Sequence, residues 1–451
     1  MLIDYQLAEQ AAATRNPIYR VFSISETVSW ICRVEAALAK VQAARGLIPA
    51  AAAQEIQCKA ISQTIDITAL RAEIDATGHP FLGVLRAWSR ELEGDAAQWV
   101  HYGATTADIF NTVLILQIRR AATLMLEQMR EIETQWMTLA LAHRQTPMIS
   151  RTLGRHALPI TFGMKLASWL AEHDRSIRRL QQWLSNYATG IMSGAVGSYA
   201  AFGPDGPAIE AEVMAELGLK PPEAADWKGS RDRYAEFGAA LAIAARGYGR
   251  LAQEIFLLQG DDIREVDEAN PGIGSSTMPH KSNPLLCIDI MSRCREVSAE
   301  LPTLLEWMMT LHDRDSSWQD PSLQRMCQAF ARTLDMSRQL AGRLVVHPAN
   351  MLRNLHRTQG HILAEDLVFR LAPKLGKAVA HELLHATLRE ARASGISLQD
   401  AIAAQPALAA EFDADALSLP PPHHLALCAE VTDRALAAIE RRRNDPDGNP
   451  A

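Results

Sequence analysis

Strand-forming runs are scarce in this chain: aromatic residues make up 6% of its 451 residues, and clusters of Val, Ile, Tyr and Phe are few. Alanine and leucine are abundant instead, which leans towards helix. Paired cysteines are lacking too. Cys32, Cys58, Cys287, Cys294, Cys327 and Cys428 are scattered with no C-x-x-C, a spacing that suits neither a zinc site nor a disulfide framework. Reduced thiols in a cytoplasmic protein fit that pattern. There is no excess of positive charge. A formal net charge of −7 argues against a nucleic-acid partner. An anionic substrate stays open, because a pocket has its own local field. The first residues, Met1 to Gln6, lack the basic and apolar parts of a signal peptide. The longest charge-free stretch, roughly Trp183 to Pro204, holds Ser, Asn, Gly and Pro throughout and fails as a membrane span. We therefore expect a soluble protein with no membrane partner, long enough for two or three domains.

What the chain does have is helical periodicity. Val28, Ile31, Val34, Leu38 and Val41 form one apolar stripe, closed by Gly46 and Pro49. Three longer patterns follow. One runs from Leu158 to Leu184, one from Phe237 to Leu258 and one from Leu286 to Leu311, each in steps of three and four. Helices of that length in one region should pack as a bundle. The run Ala239 to Ala245 leaves apolar surface on more than one face and suggests burial between subunits. Long glycine-bearing connections, about 101–107, 190–206 and 261–284, stand out as functional candidates. The division expected is an N-terminal helical domain over 1–99, a central bundle over 100–345 and a small helical domain over 346–451.

The most informative segment is Gly274-Ser275-Ser276-Thr277-Met278-Pro279-His280-Lys281-Ser282-Asn283-Pro284. A flexible loop ending in Asn and Pro is ordinary helix-start grammar. The string nevertheless resembles the signature of the fumarase/aspartase superfamily, G-S-S-x-M-P-x-K-x-N-P, at every specified position. That resemblance implies that Ser275 is the general base, and that Lys281 and Asn283 hold the carboxylate next to the carbon being deprotonated. The chemistry explains these residue types. Deprotonation beside a carboxylate leaves a dianionic aci-carboxylate, which preorganised cations and amides must bind better than the ground state. A serine is a poor base unless its surroundings favour the alkoxide. Lys281 and the helix N-terminus after the loop would both do so.

Two further segments extend the resemblance. His101-Tyr102-Gly103-Ala104-Thr105-Thr106-Ala107-Asp108 is similar to the family's H-x-G-x-T-S-x-D stretch, with Thr105 and Thr106 able to donate to a carboxylate. Read by itself, it is a helix cap. Ser150-Arg151-Thr152-Leu153-Gly154-Arg155-His156 looks like the G-R-T-H-x-Q region, which we expect at the head of a bundle helix. Here Leu153 stands where many members place a histidine general acid; the carboxymuconate-cycloisomerase branch lacks that histidine as well. His156 and His101 are the candidate replacements, though a lone histidine is more often a packing residue. Arg155 replaces the usual glutamine and adds a cation of fork geometry. Ser282 replaces an arginine of the nearest branches. His312-Asp313-Arg314-Asp315 resembles the H-E-R-D segment of adenylosuccinate lyase, so Arg314 and Arg325 could bind a distal anion, or be plain exposed arginines.

The resemblance covers nearly the whole chain. It implies an all-α fold of three helical domains, whose central helices form a twenty-helix core in a homotetramer with sites shared between subunits. It implies a small dicarboxylate-type substrate, with Thr152 among its binding residues, and no metal or organic cofactor. Three functions remain open. One is a lyase cleaving a C–N or C–O bond of a substituted succinate to give fumarate. The others are a 3-carboxymuconate-type cycloisomerase and a non-catalytic, crystallin-like descendant. An intact Ser275, Lys281 and Asn283 argues against the last.

Overall fold

The structure, a computed structural model, describes residues 2–62, 65–269, 277–315, 321–413 and 415–444. These residues are overwhelmingly helical, with two short two-stranded antiparallel sheets among them. The chain divides into two compact units. The first comprises Met1–Met129, Ser176–Arg246 and Ser292–Asp335; the second comprises Arg130–Arg175, Gly247–Met291 and Met336–Ala451.

In the first unit, helix α1 (Ile24–Ala44) starts where the Ser23 hydroxyl accepts the Glu26 N–H at 3.3 Å. Its stripe of Val28, Ile31 and Leu38 is buried, as the periodicity predicts. Phe81 and Trp88 of α2 (Pro80–Ser89) join that core. So do Ile109, Val113 and Leu116 of α3 (Thr106–Ala142), which at 37 residues is the longest helix described. The sequence patterns did not single α3 out, because its apolar residues cover more than one face. One window of α3 is apolar enough by composition to cross a membrane, but 67% of it is buried within the protein. Core helices pass the same test.

In the second unit, strands β1 (Pro147–Thr152) and β2 (Arg155–Thr161) form an antiparallel hairpin. This corrects the helix expected from Leu158. Pro159 drives the residue before it to extended backbone, and α4 begins only at Phe162, running to Tyr187. The start of α4 packs closely on the end of α3: a Cβ on Gly163 would stand 2.5 Å from the Ala140 carbonyl oxygen. Helix α5 (Asp232–Leu258) matches its predicted pattern. Its Tyr248 stacks edge-on against Trp169, which in turn meets Trp136, at ring separations of 5.7 and 5.6 Å. Trp169 Nε1 donates to the Gly247 carbonyl at 3.0 Å.

Strand β3 (Val266–Glu268) leads towards the signature segment, beyond which α6 runs from Leu285 to Ala299. The single helix expected from Leu286 to Leu311 is broken. Pro302 opens α7 (Leu301–Glu306) and cannot continue the hydrogen-bond ladder of α6. Strand β4 (Leu344–Val346) pairs with β3, Val266 facing Val346. The C-terminal core gathers Leu367 and Leu371 of α8 (Ala364–Leu375) with Leu384, Leu398 and Ile402. The last helix, α9, spans Pro422–Asn444.

Candidate functional site

The sequence-predicted site residues fall into two groups, one in each unit. In the first unit, Thr105 precedes α3, and the Asp108 carboxylate reaches back to accept the Thr105 N–H at 3.0 Å. That is a capping-box geometry. Asp108 is fully buried and also accepts from the Ser193 N–H at 3.2 Å, the Gly194 N–H at 3.0 Å and Lys228 Nζ at 3.0 Å. Lys228 is itself buried and pairs with Asp226 at 2.7 Å. Ser193 donates its hydroxyl to Asp226 at 2.7 Å. Burial pushes the Asp108 carboxyl up, against the pull of Lys228 and the N–H donors. This network locks the 101–106 stretch to the 190–194 connection. Gly103 is required there, since at φ +81° an added Cβ would sit 2.8 Å from the Phe202 ring.

His101 adopts a left-handed backbone, φ +62°. Its N–H and its Nδ1 both bond the carboxylate of Glu35, at 2.9 and 2.8 Å. Burial lowers the imidazolium pKa, but the hydrogen bond and charge of Glu35, helped by Asp108, outweigh it and hold it above the ordinary histidine value. Glu35 therefore favours the protonated form of His101, whose Nε2 lies outside the Glu35 pairing. Arg314 joins this group: its Nη1 donates to the Thr105 hydroxyl at 3.2 Å. Arg325 instead forms a two-pronged pair with Glu300, at 2.8 and 2.7 Å. Thr106 begins α3 beside Thr105.

In the second unit, Thr152, Arg155 and His156 are all exposed on the hairpin rather than at a helix start. Leu153 and Gly154 make its two-residue turn with φ +51° and +74°, the signs a type I′ turn requires. Leucine is an unusual choice for that backbone, and its side chain is wholly exposed. Arg151 anchors the hairpin by a two-pronged bond to the buried Glu265, at 2.8 and 3.0 Å. Asn354 donates to the same carboxylate at 2.9 Å. Burial and the Arg151 charge, with Arg357, lower the His156 pKa despite Glu265, so His156 is a neutral imidazole at neutral pH. The two candidate acids therefore differ in kind.

Lys281 is exposed, and its N–H donates to the Met278 carbonyl at 3.0 Å. The Asn283 carbonyl accepts the Leu285 N–H at 2.9 Å as α6 begins. Ser275 lies outside the described residues. The first N–H groups of α6 are not open to an anion. The Glu268 carboxylate accepts from Leu286 and Cys287, both at 3.0 Å. The charge stabilisation expected of that helix end is therefore not offered by these N–H groups.

Sequence reasoning missed Glu35, Lys228, Asp226, Ser193, Glu265 and Glu268. Glu35 was findable: it lies between Ile31 and Leu38 on the apolar stripe of α1, where a carboxylate needs a partner. Lys228 and Glu265 carry no local pattern, and only their partners reveal them.

Comparison with known proteins shows the family. A family model described as lyase matches residues 10–298. The N-acetyl-S-(2-succino)cysteine lyase of Enterococcus italicus is 34% identical, covering 91% of each chain. The adenylosuccinate lyase of Methanothermobacter thermautotrophicus is 35% identical over 82% of this chain and 84% of its own. The crystal structure of the 3-carboxy-cis,cis-muconate lactonizing enzyme from Pseudomonas putida superposes with a TM-score of 0.87 at 31% identity, covering 97% and 99% of the two chains. With its signature string intact and its fold shared over nearly all its length, this chain belongs to the fumarase/aspartase superfamily of lyases and cycloisomerases.

Proposed function

We propose that this enzyme cleaves a succinyl thioether, releasing fumarate and a thiol. Ser275 takes a proton from the carbon beside one carboxylate, which Lys281 and Asn283 hold as it gains charge. The C–S bond on the neighbouring carbon then breaks, and its electron pair leaves with sulfur. The observation that carries this choice is Leu153, a side chain with no proton to give, at the tip of the hairpin where a histidine acid is usual. A cysteine thiolate, with a pKa of about 8.5, departs unaided far more readily than an amine or alkoxide. The relative that acts on N-acetyl-S-(2-succino)cysteine supports the same substrate class. Arg314, and His101 with its protonated form favoured by Glu35, suit the anionic ends of such a substrate, and Arg155 adds a further cation.

We also propose a homotetramer with shared sites. The exposed hairpin group and the exposed Ile243, Phe256 and Leu257 of α5 support an assembly that covers them. An active monomer in light scattering would exclude it.

The test is a fumarate and free-thiol assay with N-acetyl-S-(2-succino)cysteine, run beside adenylosuccinate. Fumarate and thiol should appear in equal amounts, and Ser275→Ala should lose at least about 10²–10⁴ in rate. A second reading, carboxymuconate lactonisation, is favoured by the structural likeness to the Pseudomonas putida enzyme. Lactone formation with no fumarate from any succinyl thioether would establish it instead.

A further inference from the structure

The C-terminal part of the second unit carries a side-chain cluster that the elimination does not use. Asp366 lies in the first turn of α8, and His423 and His424 lie at the start of α9. Asp366 Oδ1 stands 3.4 Å from His423 Nε2 and 3.6 Å from His424 Nε2. One ligand atom from each of the three residues lies within 4.8 Å of the other two. The carboxylate–imidazole separations are long for hydrogen bonds, whose N–H···O distances peak at about 2.9–3.0 Å. They are close to the edges of a coordination tetrahedron, since bonds of roughly 2.0–2.1 Å to zinc put ligand atoms about 3.3–3.4 Å apart.

We propose that Asp366, His423 and His424 form a binding site for a divalent transition-metal ion of the zinc type, with water completing the shell. Two imidazoles and one carboxylate are a donor set such ions favour. Arg370 Nε donates to Asp366 Oδ2 at 2.8 Å, which turns Oδ1 towards the two imidazoles. Ligating carboxylates ordinarily carry such an outer partner. All three side chains are partly exposed, at 17%, 39% and 18%, so the fourth position is open to solvent. Two features oppose tight binding. The Arg370 Nη2 atom lies 3.3 Å from both ring nitrogens of His423, and the N-terminus of α9 disfavours a cation. The site therefore holds its ion at moderate affinity. Binding links the starts of α8 and α9 and stabilises the C-terminal core without entering the reaction.

The test uses untagged full-length protein, freed of metal by chelator and titrated with Zn²⁺ by calorimetry. One ion should bind per chain. The His423→Ala/His424→Ala variant should weaken it by roughly tenfold or more, as a lost ligand costs at least what a lost outer-shell partner does. The single His424→Gln variant guards against misfolding of the double one, and its circular-dichroism melt should match the metal-free wild type. His381→Ala/His385→Ala, which removes the stacked imidazoles of the neighbouring 377–394 helix, should leave Zn²⁺ binding intact. Fumarate formation should be unchanged in all of them. Failure of Zn²⁺ to bind below millimolar concentration would overturn the proposal. So would full affinity in His423→Ala/His424→Ala, or loss of it only in His381→Ala/His385→Ala.

Discussion

The two groups of site residues are built in opposite ways. In the first unit the charges point inward. Glu35, Asp108 and Lys228 are buried, each paired, and together they fix His101 and Thr105 before any substrate arrives. In the second unit the anchor is buried but the working groups face out: Glu265 holds Arg151 inside, while Thr152, Arg155 and His156 stand on an exposed hairpin. The difference shows how one chain can divide its labour. A buried network preorganises charge and biases a pKa, whereas an exposed hairpin on a rigid anchor leaves its side chains open to solvent.

The contrast would break most visibly at Lys228. Lys228→Met leaves Asp108 and Asp226 without their cation, and breaking a buried pair in this way costs about 3–5 kcal/mol. Chemical denaturation should show that loss, and one below about 1 kcal/mol, the worth of an exposed pair, would mean that the network does not hold the first group together.

The histidines sharpen the comparison at smaller scale. His101→Gln should lower kcat/KM by about tenfold, roughly 1.4 kcal/mol, mainly through KM, because it removes a side chain whose charged form Glu35 favours. His156→Gln should change it less than about twofold, as a neutral imidazole carries no charge to lose. A fall of about 10² in kcat for either, with the basic limb of the pH profile gone, would identify a required general acid and sink the thiolate leaving group.

His101 also predicts a direction with pH. Its folded pKa is raised, so its contribution to stability is full below the ordinary histidine value and is lost as pH rises through the raised one. Melting temperature should therefore fall across that window in wild type, and less so in His101→Gln. The smallest effect belongs to the hairpin tip. Leu153→Asn keeps the turn and relieves the left-handed backbone, and should stabilise the protein by about 1 kcal/mol or less. A destabilised Leu153→Asn variant would show that the leucine side chain has a contact to lose.

The helices that carried clear periodicity, α1 and α5, were legible in the sequence. The hairpin and the break at Glu300 were misread, because the stripes continue across them. Pro159 and Pro302, local backbone constraints, decided both. Thr105 and Arg314 were each named from motifs about two hundred residues apart, and nothing in either motif said that they touch.

By itself, the sequence determined the family and the helical class. Those depend on residue type and short spacing, which a chain carries wherever it folds. Which histidine holds its proton more tightly was decided only by tertiary structure. His101 and His156 are the same residue with the same intrinsic basicity. A buried glutamate from α1 bonds one, while an arginine two-pronged to Glu265 sits near the other. Protonation follows the local field and the loss of water, and both are set by groups far away in the chain.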